Sequence, residues 1–66
     1  MRSYEAVISR PDNLARIQAA RRAIERVGGK IVTAPPNAAG MVLVVVTLPE
    51  AYTPEDFVPG VPFSEV

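Results

Sequence analysis

The segment "MVLVVVTLPE", residues 41–50, decides the fold, because seven of its first eight side chains are apolar. Such a run predicts a β-strand that stops before Pro49, which has no amide hydrogen to donate to a neighbouring strand. Successive side chains of a strand point to opposite faces of the sheet. The two predicted faces are both apolar: Val42, Val44 and Val46 on one, and Met41, Leu43, Val45 and Leu48 on the other.

Two elements are predicted before this strand. "SYEAVIS", residues 3–9, alternates as a strand with one buried face, formed by Tyr4, Ala6 and Ile8. Residues 11–29, "PDNLARIQAARRAIERVGG", predict a helix that is capped by Asp12 or Asn13 and closed by Gly28 in the left-handed conformation. Its apolar residues form one stripe at three- and four-residue spacing: Leu14, Ile17, Ala20, Ile24 and Val27.

The remaining segments complete a small sheet. "GKIVTA", residues 29–34, predicts a short strand that pairs antiparallel with the third strand across the loop "PPNAAG". "YTPEDF", residues 52–57, predicts one helical turn with Thr53 as its cap and Pro54 in the first helical position. The prolines of residues 58–66, "VPGVPFSEV", favour an extended tail or an edge strand that ends at Val66.

Together these elements predict one α+β domain over residues 1–66. The fold class is a small ferredoxin-like βαββ sheet with one main helix on one face and an extended C-terminal tail. The first and third strands are expected to be parallel neighbours. One helix and one turn cannot cover both faces of the sheet, so one face of the third strand is expected to be open. A domain of this size buries only about 60% of its unfolded surface, and a partner is therefore expected to add stability.

Composition narrows the function classes. Seven basic and seven acidic side chains cancel, so no overall charge attracts nucleic acid or an anionic membrane. Without cysteine or histidine the chain has no thiol nucleophile, histidine triad or zinc site, and we expect neither an enzyme nor a cofactor. "GGK", residues 28–30, lacks the spacing of a phosphate-binding loop. The helix arginines predict a solvated face. No signal peptide or membrane span is apparent, which predicts a soluble cytoplasmic protein, or a secreted one if the chain is cut from a longer precursor.

The order of motifs resembles the propeptide domain of subtilisin-like serine proteases and the free-standing inhibitors built on it. The shared features are "YEAVIS", an Ala- and Arg-rich helix ending in "GG", "KIV", the loop "NAAGM", and "VVVTLPE" followed by an extended end. This chain has only "AYTPEDF" where the family has a fuller second helix, and Met41 where the family usually has an aromatic residue.

The resemblance implies a protein-binding module that inhibits a serine protease or assists its folding. Propeptides of this family lay the open sheet face on two helices of the protease and run the tail into the active-site cleft as a product would. The residues expected to bind the partner are those of one face of the third strand and of the tail: Val42, Val44, Val46, Phe63, Ser64, Glu65 and Val66.

Within the cleft, Val66 would occupy the primary specificity pocket, and Phe63 would fill the pocket for large apolar side chains. The alternative for Phe63 is a core position under the sheet. Two other functions stay open from the sequence alone. The chain could form a twofold homodimer through the open face, or it could be a subunit or ligand-sensing module of a larger assembly.

Overall fold

The sheet has four strands, and the third strand lies near its centre. The computed structural model describes all 66 residues, with strands β1 (Arg2–Ile8), β2 (Lys30–Thr33), β3 (Val42–Leu48) and β4 (Ser64–Glu65), and one α-helix, α1 (Pro11–Arg26). The strand order is β2-β3-β1-β4. The α+β class and the single helix agree with the sequence prediction.

Every neighbouring pair of strands is antiparallel. The β2–β3 pairing was predicted in this direction. The predicted parallel pairing of β1 with β3 was wrong in direction, although the two strands are neighbours as expected. The reason is that α1 carries the chain from β1 to β2, which places β1 and β2 on either side of β3 and antiparallel to it.

Helix α1 begins at Pro11, before both of the residues predicted to cap it. The first helical residue is Pro11, whose fixed φ suits this position, and Arg10 with extended backbone occupies the N-cap without a side-chain hydrogen bond. Neither Asp12 nor Asn13 therefore caps the helix as predicted. Asp12 lies in the first turn, with its Oδ1 3.6 Å from Nε of Arg10 in an exposed ion pair.

The C-terminal end of α1 follows the prediction closely. The amide of Gly28 donates to the carbonyl of Glu25 at 3.0 Å, and the amide of Gly29 donates to the carbonyl of Ile24 at 2.8 Å. This pair of bonds is the Schellman arrangement, and Gly28 occupies its left-handed position with φ of 89°. The chain is thereby turned directly into β2.

The loop between β2 and β3 is tied by one side chain. Oδ1 of Asn37 accepts hydrogen bonds from the amides of Ala39 (2.9 Å) and Met41 (3.0 Å). The Asn37 amide in turn donates to the carbonyl of Met41 at 2.9 Å. Asn37 thus closes the loop immediately before β3 begins.

One face of the sheet carries the whole core. Twelve buried side chains form a single cluster, which includes Ile17 and Ile24 of the helix and Val58 and Val61 of the C-terminal segment. Tyr52, Phe57 and Phe63 pack against it. The guanidinium of Arg16 donates to the carbonyl of Pro59, which ties the C-terminal segment to α1. Helix and segment therefore cover the same side of the sheet.

The predicted turn at "YTPEDF" forms as a 3-10 turn over Pro54–Asp56. Thr53 occupies the N-cap of this turn, and its amide donates to Oδ2 of Asp56 at 2.9 Å. Pro54 is buried, and the rings of Tyr52 and Phe57 lie 5.8 Å apart on either side of the turn.

Candidate docking surface

Strand β3 presents its two faces to different surroundings. Val42, Val44 and Val46, which were expected to meet a partner, are buried beneath α1, and Val44 is 0% exposed. That expectation was wrong because alternation gives the two sets of side chains but not the side on which the helix packs. Leu48 also belongs to the buried set and not to the face to which it was assigned.

The opposite side of the sheet has no element over it. Four apolar side chains from three strands lie next to one another there, and we call them the open face: Val7, Val32, Leu43 and Val45. Val7 pairs across the strands with Leu43, and Val32 pairs with Val45. Val7 is 60% exposed, Val32 51% and Leu43 40%, whereas Val45 is half-buried between its neighbours. An exposed side of the sheet was expected from the sequence, and the structure shows it.

Polar side chains border the open face. On β1, Glu5 lies opposite Val45 on one side and Ser64 on the other. On β2, Lys30 lies opposite Thr47, whose hydroxyl is 3.2 Å from that of Ser3. The border thus carries one carboxylate and one ammonium, both exposed. The arrangement is an apolar centre with a polar rim, as in protein–protein interfaces.

The C-terminal tail is paired and not free. Ser64 and Glu65 form β4 against Glu5 and Tyr4, and the amide of Val66 donates to the carbonyl of Ser3 at 2.9 Å. This is the edge strand that the sequence allowed.

The side chains of the tail differ in their burial. Phe63 is half-buried and packs against the core. This agrees with the core position that was the alternative to insertion of Phe63 into a protease cleft. Ser64, Glu65 and Val66 are exposed, and a carboxylate oxygen of Glu65 lies 3.8 Å from Nε of Arg2. The tail residues thus form the β4 edge of the sheet, and they do not extend away from the domain.

Two helix arginines have partners within the fold. Arg16 bonds to the Pro59 carbonyl, and Arg21 donates to the side chain of Gln18 and, at 3.4 Å, to the carbonyl of Ile31. The contact to Ile31 reaches the outer edge of the sheet, where an unpaired strand would otherwise present its backbone. Arg22 and Arg26 are exposed on the outer side of α1.

The sequence contained a signal for the open-face residues on the other strands. Val7 alternates with Ala6 and Ile8, and Val32 alternates with Ile31, so both fall on the side opposite the core. A single valine in a short strand is a weaker sequence signal than the long apolar run of β3. The register of the sheet then brings these separate residues together.

The charged side chains of the protein all lie outside the buried core, which contains no polar or charged residue. Helix α1 is too short and too polar to cross a membrane. Compared with family models, curated proteins and solved structures, the chain matches none of them. The resemblance to protease propeptides therefore rests on the sequence motifs quoted above.

Proposed function

We propose that this chain is a protein-binding module that docks through its open face on an apolar surface of a partner. The partner class suggested by the sequence resemblance is a subtilisin-like serine protease, which the module would inhibit or help to fold. The observation that carries the proposal is the apolar centre of a sheet face that no other element covers. The largest contiguous apolar patch on a monomeric domain is often functional, especially where polar residues rim it.

The size of the open face limits the free energy that docking can gain from it. Complete burial of an exposed Val or Leu is worth about 1.5–3 kcal/mol. Val7, Val32 and Leu43 are already 40–60% buried, so each would add roughly 1 kcal/mol on docking. A few kcal/mol alone corresponds to a dissociation constant of about 1 mM or weaker. Tight binding therefore also needs contacts from the polar border, where Glu5 and Lys30 are available.

The tail has a smaller part in this proposal than the resemblance implies. Insertion of Ser64 to Val66 into a cleft would first require β4 to leave β1 and the Val66 amide to leave Ser3. Each lost backbone hydrogen bond costs about 0.5–1.5 kcal/mol. The packing of Phe63 against the core would also be at risk. The proposal therefore places the docking in the open face, with β4 retained in the sheet.

Inhibition of a purified subtilisin, measured with a chromogenic peptide, tests the proposal. We expect Leu43→Lys to weaken inhibition at least about 10-fold, because an ammonium in a desolvated apolar contact costs far more than the roughly 1–3 kcal/mol of a neutral polar group. Ala19→Lys is the matched control, since residue 19 is exposed on the outer side of α1. That variant should inhibit like the original chain.

A truncation separates the face from the tail. Removal of residues 64–66 should leave most of the inhibition if the open face is the docking surface. Equal inhibition by Leu43→Lys and by the original chain would refute docking through this face. Failure of the original chain to bind or refold any subtilisin would refute the protease as the partner class.

A further inference from the structure

We infer that, in the absence of another partner, two copies of this chain pair through their open faces in a weak and reversible dimer. This inference goes beyond the proposed protease partner, because it needs only the open face and its border. Its consequence is regulatory, since the dimer would cover the surface proposed for docking. The occupant is inferred from the positions of two charged residues and from the size of the face.

The charges on the open side of the sheet suit a second copy. Glu5 lies on β1 and Lys30 on β2, on opposite sides of β3. A twofold axis along β3 lays β2 of one copy over β1 of the other. Lys30 then lies over the strand that carries Glu5 of the other copy, about 7 Å away along the strand. This offset is within reach of the flexible four-carbon stem of lysine.

The same axis brings together the apolar centres. Leu43 and Val45 lie on β3, so each stacks near its own counterpart in the second copy. A twofold contact uses the same patch on both subunits and must be self-complementary. The open face meets this requirement, because its apolar strip lies on the axis, with Lys30 on one side and Glu5 on the other. The axis brings each Lys30 to the same side as Glu5 of the other copy, offset by two residues along the strand.

The area of the face predicts a weak dimer. Strands β1 and β3 have seven residues each and β2 has four. At about 3.3 Å per residue and about 4.8 Å between strands, they give a contact on the order of 300 Å² per copy. Stable interfaces bury about 800 Å² per partner. We therefore expect a dissociation constant of about 1 mM, which leaves the face available to a tighter-binding partner at low concentration.

Sedimentation equilibrium of the pure protein and of two charge variants tests the inference without any protease. The original chain should form dimers as its concentration approaches about 1 mM. Glu5→Lys leaves only positive charges on the border, and Lys30→Glu leaves only negative ones, so each variant alone should associate at least about 10-fold more weakly. An equimolar mixture of the two should associate at least as well as the original chain, because opposite charges then meet again.

Glu25→Lys supplies the control, since Glu25 is exposed on α1 and away from the sheet. It makes the same charge change as Glu5→Lys and should leave dimerisation unaltered. Circular dichroism checks that all variants are folded. The inference is refuted if the original chain stays monomeric at about 1 mM, if Glu5→Lys dimerises as well as the original chain, or if the mixture fails to recover association.

Discussion

Neighbouring valines in β3 should respond in opposite ways to the same substitution. Val44 is 0% exposed beneath α1, whereas Val45 is on the open face with solvent above it. We expect Val44→Lys to abolish folding and Val45→Lys to leave a folded domain. The two positions share a strand, a backbone conformation and a side-chain type, so each is the control for the other.

The loss of folding stability expected for Val44→Lys follows from the burial of Val44. Loss of a fully buried valine costs about 1.5–3 kcal/mol, and an ammonium without a partner in the core adds several kcal/mol. The core offers no buried polar group to receive this charge. A domain of 66 residues has a total stability of roughly 3–10 kcal/mol. The combined cost is therefore comparable with the whole stability of the domain.

A lysine introduced at position 45 can extend into water, and it lies next to the carboxylate of Glu5. We expect a change of no more than about 1 kcal/mol, mainly from the lower strand preference of lysine. Urea denaturation followed by circular dichroism measures both variants. The reasoning is refuted if Val45→Lys loses as much stability as Val44→Lys, because both sides of β3 would then be core.

Four further changes test local features of the fold. Gly29→Ala should destabilise by about 1–3 kcal/mol, since its new Cβ would lie 2.8 Å from the carbonyl oxygen of Thr47. Gly28→Ala meets no atom within 4 Å but keeps a φ of 89°, and should cost only about 1 kcal/mol; a larger loss at Gly28 in urea denaturation would contradict this order. Asp56→Ala removes the acceptor of the Thr53 amide and should lower stability by about 1 kcal/mol, whereas an unchanged urea midpoint would mean that this bond is not needed. Deletion of residues 63–66 removes β4 and the packing of Phe63, and should lower the melting temperature by about 10 °C; an unchanged melting temperature would show that the tail is not part of the fold.

Local rules predicted most elements of the fold. The alternation in β1, the apolar stripe of α1, the glycine at its end and the Thr53-Pro54 turn each depend on residues close in the sequence. The predicted N-cap of α1 was wrong, because the helix begins at Pro11, whose fixed φ suits the first helical position, and so includes the predicted caps Asp12 and Asn13.

Features that depend on distant contacts could not be derived in the same way. The direction of β1 relative to β3 depends on which strand the helix returns to, and an apolar run does not specify this. The side of β3 that becomes core is set when α1 and the C-terminal segment pack. A strand with apolar residues on both faces can satisfy either arrangement, and for this reason the predicted binding valines Val42, Val44 and Val46 proved to be core residues.

Methyl NMR can test most directly the claim that the open face is the docking surface. The chain would carry labelled valine and leucine methyl groups and be titrated with a subtilisin whose catalytic serine has been replaced, so that no cleavage occurs. We expect the methyl signals of Val7, Val32, Leu43 and Val45 to shift or broaden, while those of Val44, Val46 and Leu48 in the core stay nearly in place. Binding that left the open-face methyls unchanged and perturbed the helix or the loop instead would contradict the account, as would the absence of any change in the spectrum.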